Sequence, residues 1–129
     1  KALRENMTET GAASSAGTAT RVTEMETMEQ WYDTLLNAKG LVVAAFGADW
    51  CGACKDAEPL LAALSVDGAY RDVMFVHVDA DHLPVLIGDN QVDAFPTFKF
   101  FLNAGEEELP VVGGDIPDVK RRIDAILAR

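Results

Sequence analysis

Apolar positions along the chain follow two rhythms, and together they predict an alternating order of strands and helices. Leu41-Val42-Val43-Ala44-Ala45-Phe46 is an unbroken apolar run, the pattern of a strand buried on both faces. Val73-Met74-Phe75-Val76-His77-Val78 is a second such run, interrupted only by His77. Phe98, Phe100 and Leu102 alternate with Thr97, Lys99 and Phe101 at a period of two. Asn103-Ala104-Gly105 then turns the chain, and Leu109 to Val112 returns as a partner strand; the run Glu106-Glu107-Glu108 reads as a solvated hairpin turn. Val22 to Met25 reads as a short first strand.

Between these runs the period lengthens. Met28, Trp31, Leu35 and Leu36 share one helix face behind Thr27, a good N-cap. Ala57, Leu60, Leu61 and Leu64 mark the inner face of a second helix, with Pro59 inside it as a kink. A short helix is expected near Pro84 to Asp89. The last helix gathers Ile116, Val119, Ile123, Ile126 and Leu127 on one side, with Lys120, Arg121, Arg122 and Arg129 largely filling the other. The order is β-α-β-α-β-α-β-β-α. Alternation in the first half implies parallel crossovers, and the final hairpin is antiparallel. The expected class is α/β, a central mixed sheet of four to five strands with helices on both faces.

Residues 1–20 follow neither rhythm. Their small, polar composition cannot build a core, so they read as a flexible tail ahead of a folded domain spanning 21–129. An organelle transit remnant is the other reading, against which Glu5 and Glu9 speak. Expected localisation is therefore the cytoplasm, or an organelle such as the mitochondrion if the tail is such a remnant. A length of 129 residues suits one domain. The formal net charge of -10 argues against nucleic acid and anionic membrane surfaces as partners and favours a soluble monomer. No apolar run reaches the roughly 18 residues of a membrane span.

The chemistry centres on Cys51 and Cys54, the two cysteines of the chain. A bridge between them would close too short a loop to restrain the unfolded chain, so a structural staple explains them poorly. Their i, i+3 spacing at a strand-to-helix turn places them within bonding reach of each other. Cys51, at the helix N-terminus, faces unpaired N–H groups that stabilise a thiolate and is the expected nucleophile. Cys54, one turn inside, is the expected resolving thiol. Three alternatives stand beside this reading: two inert buried thiols, an inert short disulfide, and a zinc site from Cys51, Cys54, His77 and His82.

Trp50-Cys51-Gly52-Ala53-Cys54-Lys55 resembles the thioredoxin active-site motif, usually Trp-Cys-Gly-Pro-Cys-Lys. Pro59 matches that family's helix proline, Phe95-Pro96-Thr97-Phe98 resembles its cis-proline segment, and Gly113 one of its later turn glycines. The resemblance covers about residues 21–129. It implies a thioredoxin fold and dithiol–disulfide exchange without a bound cofactor or metal. It also implies electrons from a thioredoxin-reductase-like disulfide reductase and disulfide-containing proteins as substrates. Pro96 would lie against the cysteines, and Trp50, Gly52, Ala53, Phe95 and Gly113 would meet the substrate.

Three departures from the family pattern bear on the chemistry. Ala53 replaces the usual proline, which implies a somewhat more oxidising pair. Ala45 replaces the buried acid held to deprotonate the inner thiol. His77 stands where the family usually has Lys or Glu, either as a replacement proton acceptor or as an ordinary strand histidine. A redox-weak adaptor or chaperone module is the alternative function.

Overall fold

The six residues of β2 (Val42–Gly47) are all buried, because this strand lies at the centre of the sheet with helices over both faces. The computed structural model describes residues 19–129; the tail assigned to residues 1–20 falls almost wholly outside the described residues. Around β2 the order along the chain is β1 (Thr23–Glu24), α1 (Met28–Asn37), β2, α2 (Gly52–Ser65), a 3-10 turn at Gly68–Tyr70, β3 (Met74–Asp79), α3 (Pro84–Asp89), β4 (Thr97–Leu102), β5 (Gly105–Val112) and α4 (Ile116–Leu127). The sheet has five strands in the order β1-β3-β2-β4-β5. The β1–β3 and β3–β2 pairings are parallel; β2–β4 and β4–β5 are antiparallel.

Alternation along β2 divides the core in two. Val43 and Ala45 face α2 and α4, packing with Ala57, Leu61, Phe98, Phe100 and Ile123. Val42, Ala44 and Phe46 face the other way, onto Trp31, Leu83, Leu86 and Phe101. Trp31 packs edge-on against Phe46 and Phe101, with ring centroids 5.7 and 5.5 Å away. In β3, Phe75 lies on the α2/α4 side and Val76 on the other, so His77 returns to the α2/α4 side. Register makes His77 the direct neighbour of Ala45 on β2 and of Glu24 on β1.

Side-chain caps fix the starts of α1 and α4. The Thr27 hydroxyl accepts the N–H of Gln30 at 3.0 Å, and Asp115 accepts that of Asp118 at 3.1 Å. The first strand is held by Arg21. Its backbone N–H donates to Ser65 Oγ at 2.9 Å, and its guanidinium donates to the carbonyls of Ser65, Tyr70, Arg71 and Val73 at 2.8–3.4 Å.

Several local expectations need correction. Leu36, Leu60 and Leu127 are exposed, each lying at the edge of its helix's apolar stripe. β1 is two residues long rather than four. Glu106 and Glu107 lie within β5, not in the turn; the turn is Asn103-Ala104, two residues with φ of 54° and 67°. Charge is tolerated there because β5 is an edge strand, and the carboxylates find cations: Glu106 meets Lys99 at 3.3 Å, and Glu107 meets Arg129.

Candidate active site

Cys51 is the N-cap of α2, where the chain leaves β2 through Ala48, Asp49 and Trp50. Its sulfur accepts the N–H of Cys54 at 3.1 Å, satisfying one of the unpaired donors of the first helical turn. Both cysteines are free thiols; Cys51 is half-buried and Cys54 is buried. Burial, then the hydrogen bond with Cys51, push the Cys54 thiol up to about 11, against a lowering contribution from a backbone hydrogen bond at Ala48. One sulfur is thus presented to partners while the other is held protonated behind it.

The other wall is the loop before β4. The Phe95–Pro96 peptide bond is cis, as the motif implies. Cys51 Sγ lies 3.7 Å from the Phe95 carbonyl oxygen, and the Gly113 N–H donates to the Pro96 carbonyl at 2.8 Å. Gly113 has a φ of +101°, a conformation that side-chain-bearing residues rarely adopt. Trp50 is 68% exposed, yet it is fixed at two points. Its indole N–H donates to Asp81 Oδ2 at 2.9 Å, and its ring stands edge-on to Phe95 at 5.9 Å. Gly52 and Ala53 are exposed at the helix tip. The residues read from the motif therefore converge on a single surface around Cys51.

Behind that surface lies a cavity of about 30 Å³, lined in part by Ala45, Gly47, Cys54, Glu58, His77 and Pro96. A Cβ placed on Gly47 would stand 3.1 Å from Cys54 Sγ and 3.3 Å from His77 Nε2, so both atoms border the space that Gly47 leaves open. His77 Nδ1 is 2.7 Å from Glu24 Oε1. Burial alone would lower the His77 pKa; the Glu24 hydrogen bond and the charges of Glu24, Glu58 and Asp79 outweigh it and hold the pKa above its ordinary value.

His82 is turned elsewhere, with Nε2 2.8 Å from the Glu26 carbonyl. Among the described residues, no group of three or more metal-ligating side chains forms. Asp81, Glu24, Glu58 and Gly47 were not legible as site residues. Their roles come from register and from chain crossings; the pairing of Glu24 with His77 is set by the parallel register of β1 and β3.

Comparison with known proteins places this geometry in context. The thioredoxin family model matches residues 22–124. Thioredoxin H5 of Oryza sativa subsp. japonica is 36% identical over 112 residues, covering 87% of this chain and 81% of that protein. The crystal structure of thioredoxin NaTrxh from Nicotiana alata superimposes with a TM-score of 0.80 at 30% identity, covering 90% of this chain and 98% of that one. A poplar thioredoxin h, PtTrxh4, gives a TM-score of 0.78 at 32% identity over 84% of this chain and 98% of that one.

Proposed function

The chain belongs to the thioredoxin family and is a thiol–disulfide oxidoreductase acting on protein disulfides; we propose that Cys51 opens the substrate disulfide and Cys54 closes the cycle. The observation that carries this division is the asymmetry of the two sulfurs. Cys51 caps the helix and is partly accessible, whereas Cys54 is 7% exposed with its thiol held at about 11. The Cys51 thiolate attacks one sulfur of the substrate disulfide, whose other sulfur leaves as a thiolate. Cys54, once deprotonated, attacks Cys51 Sγ in the mixed disulfide. The second substrate thiolate leaves, and a Cys51–Cys54 disulfide remains. Two electrons from an upstream reductase restore the dithiol.

The substrate lies as an extended segment along Phe95 and Pro96, a form of strand addition. Trp50, Gly52, Ala53 and Gly113 border it. His77 is the titratable side chain that serves the inner thiol. The family takes its electrons from thioredoxin reductase. For this chain we assign a reductase of that kind as donor, the cytosol as compartment, a monomer as the working unit and residues 21–129 as the catalytic unit. Among the described residues, no helix is long and apolar enough to cross a membrane.

Insulin reduction driven by a chemical reductant tests the reading. The chain should accelerate precipitation of the insulin B chain. Cys51→Ser should abolish the acceleration, and Cys54→Ser should accumulate a mixed disulfide on Cys51. A rate no higher than that of the reductant alone would favour the adaptor alternative.

A further inference from the structure

The inner thiol faces a problem that the sheet beneath it does not solve by the nearest route. Cys54 must lose a proton before it can attack, yet Ala45, on the strand below it, carries only a methyl group. The neighbouring positions supply what Ala45 lacks. Gly47 leaves open the gap between Cys54 Sγ and His77 Nε2, which a side chain would fill at 3.1 and 3.3 Å. The cavity there, about 30 Å³, exceeds the ~10–15 Å³ that one water requires. On the far side of the imidazole, the Glu24 carboxylate accepts from Nδ1–H at 2.7 Å. That bond selects the tautomer whose Nε2 is a bare acceptor, and Nε2 lies beside Gly47, as Cys54 Sγ does.

We infer that Cys54, His77 and Glu24 form a proton relay, in which His77 takes the Cys54 proton through one water across the Gly47 gap and Glu24 positions the imidazole. The inference rests on the reading of Cys54 as the resolving thiol. In the mixed disulfide, the Cys54 S–H proton passes to water as a water proton passes to Nε2, giving a thiolate and an imidazolium paired with Glu24. The thiolate forms the bond to Cys51 Sγ, the bond from Cys51 to the substrate sulfur breaks, and the departing thiolate takes its proton from solvent. The imidazolium releases its proton outward. A groove of about 320 Å³, lined in part by Thr20, Val22, Glu24, Glu58 and His77, opens on that side.

The timing suits the reaction. Burial is the main influence that raises the Cys54 pKa and it persists, but the charge of Cys51, which raises it further, is gone once Cys51 is tied into a mixed disulfide. The inner thiol therefore becomes easier to deprotonate once it has a disulfide to attack. The groups facing His77 are Glu24 from β1, Glu58 and Cys54 from α2, and Asp79 from its own strand; β2 contributes only the uncharged Ala45 and Gly47.

Stopped-flow reaction of the reduced full chain with an aryl disulfide separates the two steps, since each releases one coloured thiolate. Release of the second thiolate should rise with pH through an inflection belonging to His77. His77→Ala should slow the second release by about 100-fold and remove the inflection. Added imidazole should restore part of the rate. Glu24→Gln should keep the second step but move the inflection to lower pH, because the carboxylate charge is gone. In every variant the first release should match the wild type, which also reports that the fold is intact. An unchanged pH profile in His77→Ala, or an unmoved inflection in Glu24→Gln, would overturn the relay. So would an equal slowing of both steps, which would assign His77 to the framework. A wild-type chain that releases only one thiolate would overturn the resolving role of Cys54 itself.

Discussion

The indole N–H of Trp50 is bonded to Asp81, a residue 31 positions further along the chain, at 2.9 Å. Asp81 sits just past β3, and its own N–H is held by Asp79 Oδ1 at 2.8 Å. The ring beside the reactive sulfur is therefore set by the end of a neighbouring strand. This bond lies at the surface, so Asp81→Ala should cost little stability. It should raise KM for a protein disulfide by about 3- to 10-fold, the equivalent of one ordinary hydrogen bond. Steady-state insulin reduction measures it, and Asp81→Asn should behave more mildly because it keeps an acceptor.

Alkylation should distinguish the two thiols sharply. With its thiol near 11, Cys54 carries about one thiolate in 10⁴ at pH 7, and the sulfur is buried as well. Iodoacetamide on the reduced protein should modify Cys51 first and leave Cys54 intact until the chain is unfolded. Peptide mapping by mass spectrometry checks the order; faster modification of Cys54 would reverse the assignment of roles.

Stability should carry the imprint of His77. Its folded pKa is raised, so the added stabilisation is fully present below the unfolded value of about 6.5 and is lost as pH rises through the folded value. Urea unfolding should therefore show His77→Ala losing more stability at pH 5.5 than at pH 8. The difference should stay under about 1 kcal/mol, because Glu24 is 46% exposed and solvent screens the pair.

Arg21 should matter to folding and not to chemistry. Its guanidinium serves carbonyls of α2's last residue and of the turn before β3. Arg21→Ala should destabilise the domain by about 1.5–3 kcal/mol, and Arg21→Lys should recover part of that. A chain trimmed to begin at Thr20 should keep full disulfide-reducing activity, whereas one beginning at Val22 should unfold at lower denaturant. Chemical denaturation beside an insulin assay tests both statements.

Local order was readable wherever one residue's surroundings repeat along the chain. The β2 run, the α4 stripe and the cap at Thr27 all depend on near neighbours, and all form, Leu127 alone falling outside the buried α4 stripe. The convergence of Trp50, Cys51 and Cys54 with Phe95, Pro96 and Gly113 spans long stretches of chain, and it was readable only through the resemblance to the thioredoxin motif. What escaped was set at long range. Lys99 is 6% exposed within β4, and only the fold shows the Asn90 carbonyl and Glu106 that satisfy its ammonium group. The Glu106-Glu107 stretch looked like a turn because its charge hides a strand pattern that only an edge position allows. The approach of Glu24 to His77 depends on parallel register, which no window of sequence contains.

β1 joins the sheet through two residues, the shortest strand in it, and one of the two is Glu24. The described chain enters the sheet at its N-terminal end through that strand. Tension on a tether or fusion partner attached there would load β1 before any longer strand, with Arg21 as the clamp that resists it. Peeling β1 away would separate Glu24 from His77 while Cys51 and Cys54 stayed in place on α2. A pull at this end of the molecule would thus act on the second half of the reaction and spare the first.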